Sequence, residues 1–152
     1  MTADPRTGPQ RKADTIAKLE AADGDAWVST ASPAGIAHLV PLSYAWDGEF
    51  VVLAAEASSV TIRNIRSGGR ARLGFGPTRD VVMIDVELDR VLGVDEEAAE
   101  ATGRRYADQT DWDPRGLADY VFVLLRPRRV QAWRESNELP GRLLMRDGEW
   151  LF

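Results

Sequence analysis

From Asp25 to Gly76 the chain reads DAWVSTASPAGIAHLVPLSYAWDGEFVVLAAEASSVTIRNIRSGGRARLGFG. Three strand-like segments come first. Residues 26–31 and 37–46 are joined by the Ser32-Pro33-Ala34-Gly35 turn, and Asp47-Gly48 is a short hairpin signal leading into a third strand over 49–55. Val40, Leu42, Tyr44 and Trp46 recur with period two, so they share one face of the second strand. Pro41 has no N–H to give to a ladder, which places a free edge or a bulge at that point. After the third strand Ser58 to Arg66 predicts a short helix, ended by Ser67-Gly68-Gly69, and residues 70–76 return as a fourth strand. A helix opening on two serines presents free backbone N–H groups, hydroxyls and the positive end of its dipole, which together suit an anion such as phosphate. The alternative is that Ser58 or Ser59 only caps a connecting helix.

The flanks extend this pattern. Residues 1–10 carry two prolines, a glycine and little apolar content, and read as a disordered N-terminal arm. A helix is expected over 11–22. Val82, Ile84, Val86 and Leu88 define the core face of a fifth strand, and Asp85, Glu87 and Asp89 its wet face. Asp95 is expected to cap a helix with Tyr106 on its buried side. Tyr120 to Leu125 is apolar on both faces and therefore a core strand, continued past a proline bend by Arg126 to Trp133. The tail through Leu143-Leu144-Met145 to Trp150-Leu151-Phe152 is too apolar to hang free and should pack. The expected fold is mainly β: six or seven mostly antiparallel strands closed into a small barrel, with two or three short helices, in one domain over 11–152.

Composition narrows the chemistry. A chain of 152 residues with 44% hydrophobic and 28% charged content fits one domain with its own core. It has no cysteine, which removes thiolate nucleophiles and Cys-based metal sites and accords with a cytoplasmic setting. No run approaches the length of a membrane span, and a net charge of −5 argues against a nucleic-acid binder. With a single histidine, His38, and no G-x-S-x-G or H-E-x-x-H pattern, side-chain catalysis has few candidates. Asp85, Glu87 and Asp89 fit a solvated face better than a metal site. Arg126, Arg128 and Arg129 could grip a phosphate or line an edge, and Trp133 could serve as a ring platform. A protein this poor in nucleophiles and bases does chemistry best through a borrowed cofactor.

The order Trp27-Val28-Ser29-Thr30-Ala31, Gly35, His38 to Gly48, Ser59 to Arg66 and Arg70 to Phe75 resembles the pyridoxamine 5'-phosphate oxidase-like split-barrel family, over residues 12–94. Arg126 to Trp133 and Gly148-Glu149-Trp150-Leu151 are similar to its actinobacterial members. The resemblance implies a split β-barrel homodimer binding FMN, or a deazaflavin coenzyme, in clefts between subunits. It implies that Val40, Pro41, Leu42 and Ser43 line the ring, that Ser58, Ser59, Thr61 and Arg63 hold the phosphate, and that Trp133 reaches in from the other subunit. It further implies an oxidoreductase acting on an unidentified small molecule, with a nicotinamide or reduced-deazaflavin donor. The alternative is a non-catalytic carrier of a flavin, haem or tetrapyrrole. One departure stands out: Val60 and Thr61 occupy positions where family members commonly carry basic residues.

Overall fold

A computed structural model describes residues 2–152. The helix α1 spans Gly8–Glu20, and the strands are β1 (Asp25–Ala31), β2 (Ala37–Trp46), β3 (Val51–Glu56), β4 (Arg70–Phe75), β5 (Val81–Gly93), β6 (Tyr120–Trp133), β7 (Leu143–Arg146) and β8 (Glu149–Trp150). Helix α2 (Val60–Gly68) joins β3 to β4, and α3 (Glu100–Thr110) lies between β5 and β6. The strands follow the order β3-β2-β1-β4-β5-β6-β7-β8, and β3 also pairs with β6. That pairing closes six antiparallel strands into a barrel and leaves β7 and β8 outside it as a short hairpin. Closure removes most of the edge a six-stranded sheet would expose, leaving β2 open over residues 37–43.

Alternation builds the interior. Val28, Leu53, Leu73, Ile84, Val123 and Leu125 point into the barrel with Ile62 and Ile65 of α2 and Leu19 of α1. A second apolar layer lies on the outer side of β2, β3 and β6, where Ala45, Val52, Ala54, Phe122 and Leu124 receive Tyr106 from α3. Residues 121–125 are therefore buried on both faces, as their unbroken apolar run requires.

Both internal prolines are accommodated by irregular pairing. Residues 37–43 of β2 pair only with β1, and β3 joins β2 only at Tyr44, Ala45 and Trp46. Pro41 thus lies on a one-sided stretch where its missing N–H costs little. On β6, Val86 pairs with Pro127 and Asp85 with Arg129, so Arg128 is the extra residue of a bulge beside the proline.

Three expectations need correction. The helix begins at Gly8, not residue 11, because Thr7 and Gln10 form a reciprocal capping box with Pro9 in the first turn. Nor is the preceding arm free. The Arg6 guanidinium and backbone N–H both donate to the buried Glu138 carboxylate at 2.8–3.0 Å, and Met1 lies outside the described residues. Asp95 does not cap α3: its carboxylate accepts from the Gly116 N–H at 2.9 Å, and a short 3-10 turn over Glu97–Ala99 leads into the helix. The tail packs on its own chain, with β7 paired to β6 and Leu144 and Met145 buried.

Candidate functional site

The one-sided stretch of β2 opens a wedge. Beyond Leu53, strand β3 leaves β2 and follows β6, so Ala54, Ala55 and Glu56 pair with Phe122, Val121 and Tyr120 while Pro41, Leu42 and Ser43 stay with β1. Between the diverging strands is a cleft of about 400 Å³, lined by Pro41, Leu42 and Ser43 on one side and Ala54, Ala55 and Glu56 on the other. Ser59 lies at its end, and Asp25, Tyr106, Trp112 and Tyr120 complete it. The volume is in the range of small-molecule sites, about 300–1,000 Å³.

Aromatic side chains form one wall. Trp112 meets Tyr106 and Tyr120 edge to face at 6.1 and 6.0 Å, and Tyr106 also packs on Phe122 at 5.4 Å. The Tyr106 hydroxyl donates to the Ser43 carbonyl at 3.4 Å, and the Ser43 hydroxyl donates to Asp25 at 3.2 Å. Burial, reinforced by the negative Asp25, pushes the Tyr106 phenol well above its ordinary range, so it is a neutral hydrogen-bond donor at physiological pH.

Ser59 is the N-cap of α2, its hydroxyl accepting from the Ile62 N–H at 3.3 Å. Helix geometry leaves the N–H groups of Val60 and Thr61 outside the intrahelical ladder, facing the helix start. The other residues expected around this turn separate. Ser58 is exposed, Thr61 is buried at 3% beside Ile62 and Asn64, and Arg63 is exposed on the opposite side of the helix. Among the described residues no carboxylate lies within ion-pair distance of Arg63. Val40 packs toward the barrel interior and is not part of the cleft lining. Trp133 is half-buried at the far end of β6, opposite Val81, and does not line this cleft within its own chain.

Arg126 and Arg128 are engaged elsewhere, and Arg129 is exposed on β6 and does not line the cleft. Arg126 pairs with Glu49 at 2.9 Å and Asp89 at 3.2 Å and lies over the Phe50 ring. Arg128 faces Glu87 at 3.7 Å. Six residues of strand separate Tyr120 from Arg126, roughly 20 Å. The carboxylates at 85, 87 and 89 are partners of Arg72, Arg128 and Arg126, so the wet face of β5 is an ion-paired surface.

Two larger grooves exist. One, of about 790 Å³, runs beside Arg70, Arg72, Asp85, Glu87 and Arg128, and another, of about 720 Å³, lies between the end of α1, the β2–β3 turn and α3. The first is lined half by charged side chains and glycines and half by small, apolar or hydroxyl residues, with no aromatic, and the second mostly by charged and polar side chains, whereas the wedge combines apolar and aromatic walls with a few aimed polar groups, the usual makeup of a ligand site. Of the residues expected at the site, Pro41, Leu42, Ser43 and Ser59 line the wedge, together with Asp25, Glu56, Tyr106, Trp112 and Tyr120, which were not among those expected. The available signal was aromatic: Trp112 and Tyr120 flank a loop of glycine, proline and aspartate, and binding residues concentrate on such loops.

The barrel and its wedge define a split-barrel protein. A family model for pyridoxamine 5'-phosphate oxidase matches residues 14–134, and the chain belongs to that family. A comparison with curated proteins returned no significant match. Among solved structures the chain is similar to one described as an F420 reductase, at 17% identity and TM-score 0.61 over 75% of this chain and 94% of the other. It is similar to Rv2991, a conserved hypothetical protein of Mycobacterium tuberculosis, at 19% identity and TM-score 0.64 over 90% and 91%. It is also similar to Campylobacter jejuni ChuZ, at 11% identity and TM-score 0.74 over 92% of this chain and 63% of that one. Identities this low establish the shared fold. Among the described residues no helix is long and apolar enough to cross a membrane.

The wedge fits one part of a flavin. Its aromatic wall and the open edge beside Pro41-Leu42-Ser43 suit a planar ring with polar edges, but no lysine, arginine or histidine lines it to neutralise a phosphate.

Proposed function

We infer that the protein is a flavin- or deazaflavin-dependent oxidoreductase acting on a small molecule, with the ring held in the wedge. The observation that carries this reading is the divergence of β2 and β3, which turns backbone N–H and C=O groups of a barrel strand toward a cleft with an aromatic wall. When bound, the ring supplies hydride or electron transfer. The chain's own share is to orient the ring against Leu42 and Ser43, to shield one side with Trp112 and Tyr120, and to donate from Ser59 and the start of α2. Among the described residues the only basic groups lining the wedge are the carboxylates of Asp25 and Glu56. Pyridoxamine phosphate fits poorly as the substrate, since the cleft offers its phosphate no cation. The test is redox turnover: bound flavin or deazaflavin should be reduced by a nicotinamide donor, or reoxidised by an acceptor, at the rate of catalysis. A carrier of flavin or haem would hold its ligand without turnover.

The reading includes a homodimer. Leu39, Pro41, Trp27 and Met83 share the outer face of the barrel, Trp27 lying opposite both Pro41 and Gly74, and Gly74 opposite Met83. Trp27 is 55% exposed, Leu39 59% and Ile36 70%. A contiguous apolar face of this kind marks an interaction surface. Pro41 belongs both to that face and to the wedge, so a second copy seated there also closes the cleft, and Trp133 of the partner subunit becomes its outer wall. Sedimentation should give twice the 16.8 kDa chain mass, and Trp27→Glu should give the single chain, because a charge replaces the centre of the buried face. A monomeric parent at micromolar concentration contradicts this assembly.

A further inference from the structure

We propose that the wedge selects a flavin ring whose side chain carries no phosphate, and disfavours phosphorylated flavins and other anionic ligands. This rests on the assignment of the wedge as the ring site and names which member of the flavin class it takes. Among the described residues two carboxylates, Asp25 and Glu56, line the cleft, and no cationic residue does. Glu56 lines the cleft three residues before Ser59, the N-cap of α2, and its carbonyl accepts from the Ser59 N–H at 3.0 Å. A carboxylate lining the same cleft repels an anion that approaches the helix start. Asp25 is fixed on the opposite wall by the Ser43 hydroxyl.

Residues beside Trp133, which the partner subunit would bring to the cleft, do not reverse this balance. Arg134 is paired with Asp80 at 3.4 Å and Asp14 at 3.8 Å, and Arg79 with Glu135 at 2.7 Å. What the cleft does offer is neutral: the buried Tyr106 phenol, the Ser59 and Ser43 hydroxyls, and three aromatic faces. These groups suit a planar ring and the hydroxyls of a sugar-alcohol chain, and they leave a dianion uncompensated.

The test compares riboflavin with FMN on the full chain, by titration at low and high salt. Riboflavin should bind as tightly as FMN or more tightly, and added salt should strengthen FMN binding, because screening weakens a repulsion. Glu56→Gln should shift the ratio of affinities toward FMN by roughly three- to tenfold, the effect of removing one nearby charge in a partly solvated site. FMN binding more tightly than riboflavin, or weakening with salt, overturns the proposal while leaving the wedge as a flavin site. Failure of riboflavin, FMN and the deazaflavin coenzyme alike overturns it together with the flavin reading beneath it.

Discussion

Ser43→Trp should cut the affinity for a flavin or deazaflavin ring by roughly five- to 150-fold, the cost of overfilling a shaped site by about 1–3 kcal/mol. Ser43 is half-buried on the cleft side of β2, where its hydroxyl meets Asp25 and its carbonyl accepts from Tyr106. Tryptophan is well tolerated in strands, and the backbone pairing of Ser43 with Asp25 does not depend on the side chain. The large residue therefore occupies ligand space without opening the barrel. Unfolding by urea should be nearly unchanged. Normal ring binding by a folded Ser43→Trp protein would show that the ring lies outside this cleft.

The second large effect concerns stability. Glu138 is buried at 3% exposure and receives the Arg6 guanidinium, the Arg6 backbone N–H and the Arg134 N–H. Chiefly the hydrogen bond from the Arg6 side chain lowers its pKa from 4.5 to about 2, overcoming a burial penalty that acts in the opposite direction. A carboxylate whose folded pKa is depressed stabilises fully above its unfolded pKa and loses that contribution as pH falls through the folded value. The stabilisation, roughly 3 kcal/mol, is therefore present above about pH 4.5 and fades toward about pH 2. The same element holds Arg11, buried at 4%, whose guanidinium donates to the carbonyls of Ala132, Glu138 and Pro140. Glu138→Gln should cost about 3 kcal/mol at neutral pH by removing the most deeply buried of the carboxylates around Arg6, with Asp14 at 2.8 Å and Asp80 at 3.7 Å remaining, and should flatten the acid limb of the stability profile. Adding Arg6→Met to that variant should cost less than Arg6→Met does alone, since the bond to Glu138 is already weakened and only the pairs with Asp14 and Asp80 are left to lose. A change below about 0.5 kcal/mol, the scale of ordinary surface substitutions, would mean that the arm is not anchored through this pair.

These two sites differ in how far the sequence discloses them. Alternation along residues 26–55 and 70–88 is strong enough to place the barrel strands, since each buries one face and keeps the other wet. Pro41 announces a free edge, and the strand does have one there. The pairing that makes the edge into a cleft is not local: β3 turns to β6, almost seventy residues later, and no pattern within either strand names its partner. The aromatic wall likewise comes from α3 and the loop after it. Thr61 was more legible than the family pattern suggested. Its spacing from Asn64 and Ile65, at three and four residues, puts it on the buried face of α2, while Arg63 falls on the outer one. The Thr7-x-x-Gln10 box was also present in the sequence, and it is the reason the arm is shorter and the helix longer than composition implied.

Placement of the ring in the wedge is tested most directly by backbone amide chemical shifts of the labelled protein during titration with riboflavin and, separately, FMN. Ring currents act over a few ångströms, so the affected amides locate the ring. The predicted result is saturable perturbation centred on Leu42, Ser43, Ala54, Ala55 and Ser59, with the Trp112 indole N–H shifting alongside. Perturbations confined to the groove at Arg70, Arg72 and Arg128, or none with any flavin at millimolar concentration, would contradict it.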